Sequence, residues 1–206
     1  KTFGNEKFSF YHCDVEADGF SEKLRGLMNE RELQGFDVIY LSFVLMHLSD
    51  VMKLLYTLRS FLKEDGKLMI IEANDSVSAL NGDKGGLLSE FLAILKADKY
   101  SGNREVGKYI CDLLHDSGYD GIDIWHDSVL AGKGEKEKKK AIFTTFFSYL
   151  PEDIALLLAA EPENEEYKAW SAWIDRNYKT LKHLIMSKGS VISMGMRILT
   201  CTKGEI

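Results

Sequence analysis

The sequence feature that most constrains the fold is a pair of apolar runs separated by one amphipathic segment. Val38–Leu45 and Leu68–Ile71 are almost continuously apolar, as expected of strands that are covered on both faces of a parallel sheet. Ser49 or Asp50 is placed to cap a helix between them, and Asp65-Gly66 is placed to end it. The apolar residues of this helix recur at three- and four-residue spacing, at Val51, Leu54, Leu55, Leu58, Phe61 and Leu62. The segment therefore predicts a strand, a helix and a second, parallel strand.

Further strands and helices are predicted to alternate along the chain, which is typical of an α/β fold. The expected strands are Phe8–Cys13, Ile122–Val129 and Val191–Thr202, and the expected helices are Phe20–Leu33, Gly86–Ala97 and Val106–Ser117. The basic block Lys133–Lys140 is expected to form a solvated loop.

Composition narrows the class of protein and of partner. The chain has 206 residues, of which 45% are hydrophobic, so it can bury a substantial core as one domain over residues 1–206. A net charge of -6 argues against a nucleic-acid-binding surface over the whole chain and favours a small-molecule partner. The cysteines, Cys13, Cys111 and Cys201, are odd in number and widely spaced, which predicts no disulfide framework, no metal site and a cytoplasmic location. No apolar run is expected to be long enough to span a bilayer.

The order of features in Phe36–Asp75 is also that of a known family. An acidic residue opens an apolar strand, a His-Leu pair and an amphipathic helix follow, and the turn Leu62–Gly66 has the pattern Leu-Lys-x-x-Gly before the next strand. This order resembles the second half of a class I S-adenosylmethionine-dependent methyltransferase. The resemblance implies a Rossmann-like sheet that is mostly parallel, with Val191–Thr202 running antiparallel beside Ile122–Val129. It also implies S-adenosylmethionine as the methyl donor and a small molecule as the acceptor.

One part of the family pattern is missing. Neither Gly82–Gly86 nor Gly132–Gly134 has the G-x-G-x-G pattern between a strand and a helix that lets the backbone approach the methyl donor. We therefore expect a domain that lacks its first strands. In the family these strands lie beside Phe36–Phe43, so the edge of that strand is expected to be unpaired unless an upstream segment or a partner chain covers it.

The resemblance assigns the methyl-donor site to residues at two strand ends. Asp14 matches the position whose carboxylate binds the adenine amino group, with Val15 beside it. Leu41, Ser42 and Phe43 match the position beneath the methionine part of the donor, where an aromatic face suits a sulfonium charge. Asp14 could equally be a helix cap or a loop acid, and Phe43 could be an ordinary core residue.

Two further positions are candidates for catalysis. His47 could act as a base or bind the acceptor, or it could only hold the strand-to-helix turn. Asn74 and Asp75 follow a buried strand at the edge where open parallel sheets place ligands, so they are expected to face the acceptor, with Asp75 as a second catalytic candidate. The alternative is that they cap the chain from Ser76 onward.

Arg104 is the candidate for binding an anionic group of the acceptor. It opens a segment that is similar to an R-x-x-G helix start in a subgroup of the family, and its planar fork suits a carboxylate or phosphate. It could instead be a surface arginine that is paired with Glu105 or Asp98.

Residues 141–189 are predicted to insert a helical hairpin before the last strand. Its aromatic stripe could form a lid over the acceptor pocket, or an ordinary helix pair packed on the sheet or on a second subunit. The stripe consists of Tyr167, Trp170, Trp173, Ile174, Asn177, Tyr178, Leu181, Leu184 and Ile185.

Two other functions remain open. The chain could be a non-catalytic, methyltransferase-like module for ligand sensing or homodimerisation, such as one attached to an N-terminal transcriptional regulator. A nicotinamide-dependent oxidoreductase of the doubly wound class would need a phosphate-binding glycine turn, which the sequence does not show.

Overall fold

The computed structural model describes residues 9–204, apart from the side chains of His126 and Asp127. The described chain forms a mixed sheet that packs against helices in two core clusters. The strands are β1 (Phe36–Ser42), β2 (Leu62–Ala73), β3 (Ala79–Leu80), β4 (Tyr119–Ala131) and β5 (Ile192–Lys203). The helices are α1 (Phe20–Glu30), α2 (Val51–Phe61), α3 (Leu87–Ala97), α4 (Val106–Asp116), α5 (Lys136–Phe146), α6 (Leu150–Ala160), α7 (Glu165–Trp173) and α8 (Lys179–Met186).

The sheet has the order β1-β2-β5-β4, with the short β3 paired to the start of β5. β1 and β2 are parallel, as predicted from the two apolar runs. β5 is antiparallel to β2 and to β4, so the predicted reversal of the last strand is confirmed. The expectation of a mostly parallel sheet holds only in part, because every strand pair of the described sheet except β1·β2 includes the reversed β5 and is therefore antiparallel.

Helix α2 begins as the sequence predicts but ends for a different reason. The Oδ1 atom of its N-cap, Asp50, accepts a hydrogen bond from the Lys53 backbone N over 2.9 Å. The helix ends at Phe61, and β2 starts at the next residue, so the prediction that Asp65-Gly66 ends it is wrong. A Cβ at Gly66 would lie 2.7 Å from the Phe36 carbonyl oxygen. This glycine therefore permits the close approach of β1 to β2.

The chain before α1 does not join the sheet. The predicted strand Phe8–Cys13 begins outside the described residues, and residues 9–13 form no strand. Instead this segment lies along α1, where the Lys23 Nζ donates to the His12 carbonyl oxygen over 2.8 Å. Asp14 consequently lies in an exposed loop rather than at a strand end.

β1 therefore has an open edge within residues 9–204. Its pairing partner there is β2, and the side chains of Val38 and Tyr40 are 60% and 55% exposed. An apolar edge strand with free backbone groups is able to pair with another chain segment. The edge of β1 that was expected to be unpaired is thus open in the described structure.

Two clusters of buried residues divide the interior. The sheet core packs one face of β1, β2 and β5 against α2 and α4. The helical core packs α3, α5, α6 and α8 against the other ends of β4 and β5. Phe43 contacts both cores. Leu41, Leu54, Leu55, Leu58, Leu68, Ile70, Ile110, Leu114 and Leu199 are among the residues of the sheet core, and Phe91, Leu95, Phe143, Phe146, Phe147, Leu150, Ile154, Leu181 and Met194 are among those of the helical core.

The basic block is not the solvated loop that the sequence predicted. Helix α5 starts at Lys136, and Lys139 is only 1% exposed. The Lys139 Nζ donates to the Ser187 carbonyl oxygen over 2.7 Å and to the carbonyl and hydroxyl oxygens of Ser190 over 2.7 and 2.8 Å. This ammonium can be buried because three acceptors around the end of α8 satisfy its three donors.

The stretch Lys136–Ala160 has 25 residues and contains an 18-residue window with a mean hydropathy of 1.3, so by length and composition alone it could cross a membrane. It is not one continuous apolar run, because Glu152 and Asp153 interrupt it. In the structure α5 ends at Phe146 and α6 begins at Leu150. Phe147, Leu150 and Ile154 lie in the helical core, and a core helix passes the same composition test.

The predicted aromatic stripe faces the interior of the chain itself. Trp173 packs on Phe91 with ring centroids 6.3 Å apart, and its Nε1 donates to Glu90 Oε2 over 2.6 Å. The Tyr178 hydroxyl donates to the Phe147 carbonyl oxygen over 2.9 Å. The segment between β4 and β5 contains four α-helices in the described structure, with a π-helical turn at Ile174–Tyr178, and so is larger than a hairpin.

Candidate functional site

A cavity of about 450 Å³ opens where β1 ends, between the two cores. Three parts of the chain form it: the turn after β1, the loop that joins α3 to α4, and the adjoining ends of α5 and α6. Its lining residues are Phe43, Met46, His47, Tyr100, Ser101, Arg104, Thr145, Phe146, Tyr149, Asp153 and Leu156. The carboxyl ends of parallel strands are the usual place for a ligand in an open α/β sheet.

Phe43 holds an uncommon backbone conformation at the entrance to this cavity. Its φ angle is 52°, in the left-handed region that a bulky residue rarely adopts. The Phe43 backbone N donates to the Ile71 carbonyl oxygen over 2.8 Å, and its ring meets Phe146 edge to face at 6.4 Å. Such a conformation costs about 1–3 kcal/mol and occurs most often at ligand sites. It directs the chain sharply away from β1 into the turn that carries His47.

A buried carboxyl group supports the same turn. Glu72, near the end of β2, is 0% exposed, and its Oε1 accepts hydrogen bonds from the backbone N atoms of Val44 and Leu45 over 2.9 and 2.6 Å. Its Oε2 has no hydrogen-bond partner among the described residues. Burial raises the pKa of Glu72 from 4.5 to about 7, because loss of hydration disfavours the carboxylate more than the backbone donors stabilise it. The geometry of the turn thus depends on a group that titrates near neutrality.

Arg104 forms the floor of the cavity and is already paired. Its Nε and Nη2 donate to the two carboxylate oxygens of Asp75 over 2.5 and 3.1 Å, and its Nη1 donates to the Tyr149 hydroxyl oxygen over 2.9 Å. The alternative that Arg104 pairs with Glu105 or Asp98 is therefore wrong. Burial raises the pKa of Asp75 in spite of the arginine, and Arg104 itself is 6% exposed. The result is a buried, bidentate ion pair that carries no net charge.

The loop between α3 and α4 is fastened both to the turn after β1 and to the residues that follow β2. The Asn103 backbone N donates to the Met46 carbonyl oxygen over 2.6 Å, and the Asp75 backbone N donates to the Arg104 carbonyl oxygen over 3.1 Å. Gly102 permits this contact, because its φ is 67° and any side chain would strike the Met46 carbonyl group. The two walls of the cavity are consequently held at a fixed separation.

The structure brings three of the predicted site residues to this cavity, namely Phe43, His47 and Arg104. His47 is exposed at the rim and ends the short 3₁₀ turn Leu45–His47. Asp75 contacts the cavity only through Arg104, and it lines a neighbouring cavity of about 510 Å³ together with Lys96. The catalytic and binding roles of these residues stay predictions.

The other predicted residues do not line the cavity. Asn74 is 3% exposed and its Oδ1 accepts a hydrogen bond from the Ser76 hydroxyl over 2.6 Å, but its side chain accepts no capping bond from a backbone N of the short turn that follows. Leu41 lies in the sheet core, against which Val15 also packs. Asp14 is exposed, and its Oδ1 accepts from the backbone N two residues on over 2.9 Å. Ser42 is half-buried at the end of β1.

Sequence reasoning missed the side of the cavity that α5 and α6 supply. Tyr149, Asp153 and Leu156 are spaced by four and three residues, so they share one side at the start of α6. The neighbouring buried row, at Ile154 and Leu157, identified the helix from its apolar residues. The missed signal is therefore a second periodic row on this helix.

Asp153 is the acidic group of this row. It is half-buried, and its pKa is raised by burial first and then by the negative charges of Asp98 and Glu152. Asp98 is 2% exposed and accepts hydrogen bonds from the Tyr100 backbone N and the Ser101 hydroxyl over 3.0 and 2.7 Å. No group of three or more His, Cys, Asp or Glu side chains in the described part of the chain could hold a metal ion.

No family model and no curated protein matches the chain. Among solved structures it is similar to phosphoethanolamine N-methyltransferase 2 of Haemonchus contortus in complex with phosphomonomethylethanolamine and S-adenosylhomocysteine, with 13% identity and a TM-score of 0.38. That match covers 82% of this chain and 34% of the other, so this chain spans about a third of that protein's length.

Two further matches cover more of the other protein. YcgJ of Bacillus subtilis is 14% identical with a TM-score of 0.40, over 92% of this chain and 80% of that one. A Thiobacillus denitrificans S-adenosylmethionine-dependent methyltransferase in complex with S-adenosylhomocysteine is 11% identical with a TM-score of 0.33, over 89% and 72%. At these TM-scores the matches do not indicate an activity. The fold described above is defined by the strand order of the sheet.

Proposed function

We propose that the chain is a methyltransferase domain that uses S-adenosylmethionine and acts on a small-molecule acceptor. The observation that carries the proposal is the cavity at the end of β1, formed around the strained turn of the segment whose sequence resembles that family. Methyl transfer from a sulfonium is an in-line displacement, so holding donor and acceptor in place is the main task of the protein. A cavity with rigid walls suits this task better than it suits a surface interaction.

The residues at the turn fit a sulfonium donor. Phe43 offers an aromatic face, which attracts a cation, and the carbonyl groups at the end of β1 are acceptors that suit a positive charge. Leu41, Ser42 and Phe43 would hold the methionine part of the donor, while Asp14 and Val15 would bind its adenosine. When bound, S-adenosylmethionine supplies the electrophilic methyl group.

The remaining predicted residues would act on the acceptor side. His47 at the rim would take a proton from the acceptor where the reaction releases one. Asp75 would act through Arg104, because it neutralises and orients the guanidinium that forms the cavity floor. Asn74 would support this arrangement through its bond to Ser76.

Calorimetric titration with S-adenosylhomocysteine tests the proposal, with the 206-residue chain and the natural full-length protein measured side by side. Micromolar binding to the full-length protein that is lost in Phe43→Ala supports a donor site at the turn. Phe10→Ala is the matched control, since Phe10 is 84% exposed and away from the cavity lining. Absence of binding to both forms of the protein would contradict the proposal.

A non-catalytic dimerisation module is a second candidate, and the open edge of β1 favours it. Val38 and Tyr40 on this edge are more than half exposed, whereas Trp173 packs on its own chain. Under this hypothesis the interface would be the edge of β1, and Tyr40→Lys would change the oligomeric state while leaving ligand binding unaltered. Sedimentation of the wild-type and variant chains separates the two candidates.

A further inference from the structure

We propose that the cavity binds a small molecule that carries a protonated amine on an apolar, preferably aromatic, body. The inference rests on the proposed function, because it names the class of acceptor for the same site. It is carried by two observations: the floor of the cavity is electrically neutral, and the wall that α6 supplies is acidic.

The walls provide the surface for an apolar body. Four aromatic rings line the cavity, and Met46 and Leu156 add aliphatic surface. Aromatic walls supply large contact areas and favour ring-bearing ligands in offset or edge-to-face contact. The rings belong to Phe43, Tyr100, Phe146 and Tyr149.

The only guanidinium that lines the cavity within the described residues does not attract an anion. Arg104 already spans both oxygens of Asp75, so an acceptor carboxylate or phosphate would have to displace a bidentate partner that is itself buried. Breaking such a pair leaves an uncompensated charge in the interior, which is strongly unfavourable. The predicted role of Arg104 as an anion clamp is therefore not the one we propose. The nearby Lys99 is also paired with a carboxylate, because its Nζ lies 3.9 Å from Glu161 Oε1, and its side chain is half exposed.

The acidic wall has no cation of its own. Asp153 lines the cavity, and no Lys, Arg or His among residues 9–204 forms an ion pair with it. Asp98 does not line the cavity, but its negative charge acts on Asp153 from behind the wall and raises the pKa of that carboxyl. A bound ammonium would offset this repulsion directly. The same cation would also face the aromatic rings, whose negative faces attract it.

The chemistry of transfer is consistent with an amine. The ammonium first gives one proton to Asp153 or His47, which frees the nitrogen lone pair. The lone pair then forms the new N–C bond to the methyl carbon as the S–C bond breaks. The electron pair of that bond stays on sulfur, which leaves as a thioether, and the methylated nitrogen carries the positive charge.

Three probes of similar shape but different charge test the inference by calorimetric titration. 2-Phenylethylamine is positive at pH 7, 2-phenylethanol is neutral, and 3-phenylpropanoate is negative. The wild-type chain should bind the amine about tenfold more tightly than either other probe, in line with a desolvated cation–π contact. Asp153→Asn should abolish this preference. Asp112→Asn, which removes an exposed carboxylate on α4, should keep it.

The outcomes separate this inference from the proposed function. Equal binding of the three probes, no binding of any of them, or an amine preference that survives in a folded Asp153→Asn would each overturn it. If the amine binds but S-adenosylhomocysteine does not, the amine site stands and methyl transfer fails. If S-adenosylhomocysteine binds and the amine shows no preference, the methyltransferase proposal stands and the acceptor class is wrong. Circular dichroism confirms that both variants are folded.

Discussion

The two cores of the molecule treat buried charge in opposite ways. In the helical core, the Lys139 ammonium donates to three acceptors around the end of α8. At the end of the sheet core, Glu72 uses one carboxyl oxygen for the turn after β1 and has no described partner for the other. A buried polar group that makes all its hydrogen bonds stabilises one structure. A buried polar group that lacks a partner raises the free energy of the folded state, which is typical of functional sites. The unpaired carboxyl oxygen of Glu72 therefore indicates that the functional region lies at the edge of the sheet.

Arg104 and Asp75 lie between these two extremes. They satisfy each other, yet both are buried beside the cavity. Variants of Arg104, Lys139 and Glu72 test whether the satisfied charges carry stability and whether the unsatisfied one carries sensitivity to pH, and variants of Phe43 test the strain in the turn beside them.

The largest effect is expected from Arg104→Met. Removing the guanidinium leaves the Asp75 carboxylate buried without its partner, so the free energy of unfolding should fall by about 4 kcal/mol. Urea unfolding followed by circular dichroism measures the change. Arg176→Met, at an exposed position, should stay within about 0.5 kcal/mol of wild type. The double variant Arg104→Met/Asp75→Leu should recover most of the loss, and a double variant as unstable as the single one would count against the ion-pair explanation.

Lys139→Met should come next, with a loss of about 3 kcal/mol, because it removes the donor from three acceptors, two of which belong to the buried Ser190. The same urea experiment applies, and Lys140→Met is the matched control, since the neighbouring lysine is exposed. A loss below about 1 kcal/mol would mean that water can replace the ammonium. In that case the contrast between the two cores would disappear.

Glu72 should make stability depend on pH. Because its pKa is raised from 4.5 to about 7, the native state holds a proton between these values that the unfolded state has released. Stability from this group therefore falls as pH rises, by about 2 kcal/mol between pH 5 and pH 7. Urea unfolding at pH 5, 6 and 7 should show this slope in wild type and in the exposed control Glu30→Gln. It should be flatter by that amount in Glu72→Gln, and an unchanged slope there would assign it to other groups.

The smallest effect is expected at Phe43. Glycine adopts the left-handed backbone conformation of Phe43 without strain. Phe43→Gly should therefore be more stable than Phe43→Ala by about 1 kcal/mol, although both variants lose the packing of the ring. At Tyr56, a 54% exposed position in α2, the order should be reversed, because glycine weakens a helix by about 1 kcal/mol relative to alanine. Thermal unfolding of the four variants provides the comparison. Alanine as stable as glycine at position 43 would show that the turn relaxes.

Local pattern was enough to predict the first strand–helix–strand unit of the sheet, whereas the strand predicted over Phe8–Cys13 is absent from residues 9–13. The strand, helix and strand from Phe36 to Ala73 are continuous in sequence, and the spacing of their apolar residues fits one arrangement of elements. The end of α2 was missed because Gly66 serves the approach of β1, which is a tertiary contact. Lys139 was missed for the same kind of reason, since the acceptors that allow its burial lie about fifty residues further along the chain.

The candidate site was predictable where it follows a strand end and not elsewhere. Phe43 and His47 come directly after an apolar run, so their place at the sheet edge follows from the topology. Arg104 was found, but its partner Asp75 was not assigned to it, because a side-chain pair across 29 positions leaves no trace in periodicity. Tyr149 and Asp153 reach the cavity only through the packing of α6.

The position of β5 in the sheet has a consequence for how the chain is made. β5 is the last strand of the described chain, yet it lies between β2 and β4. During synthesis β1 and β2 can pair as soon as both have left the ribosome, but β4 waits for the chain to reach Lys203. A sheet that is completed from its centre by its latest segment has many contacts of high sequence separation, and such topologies fold slowly and expose their strands meanwhile. A nascent or prematurely ended chain would thus present two unmatched strands, and we expect its production to depend on chaperones more than its size suggests.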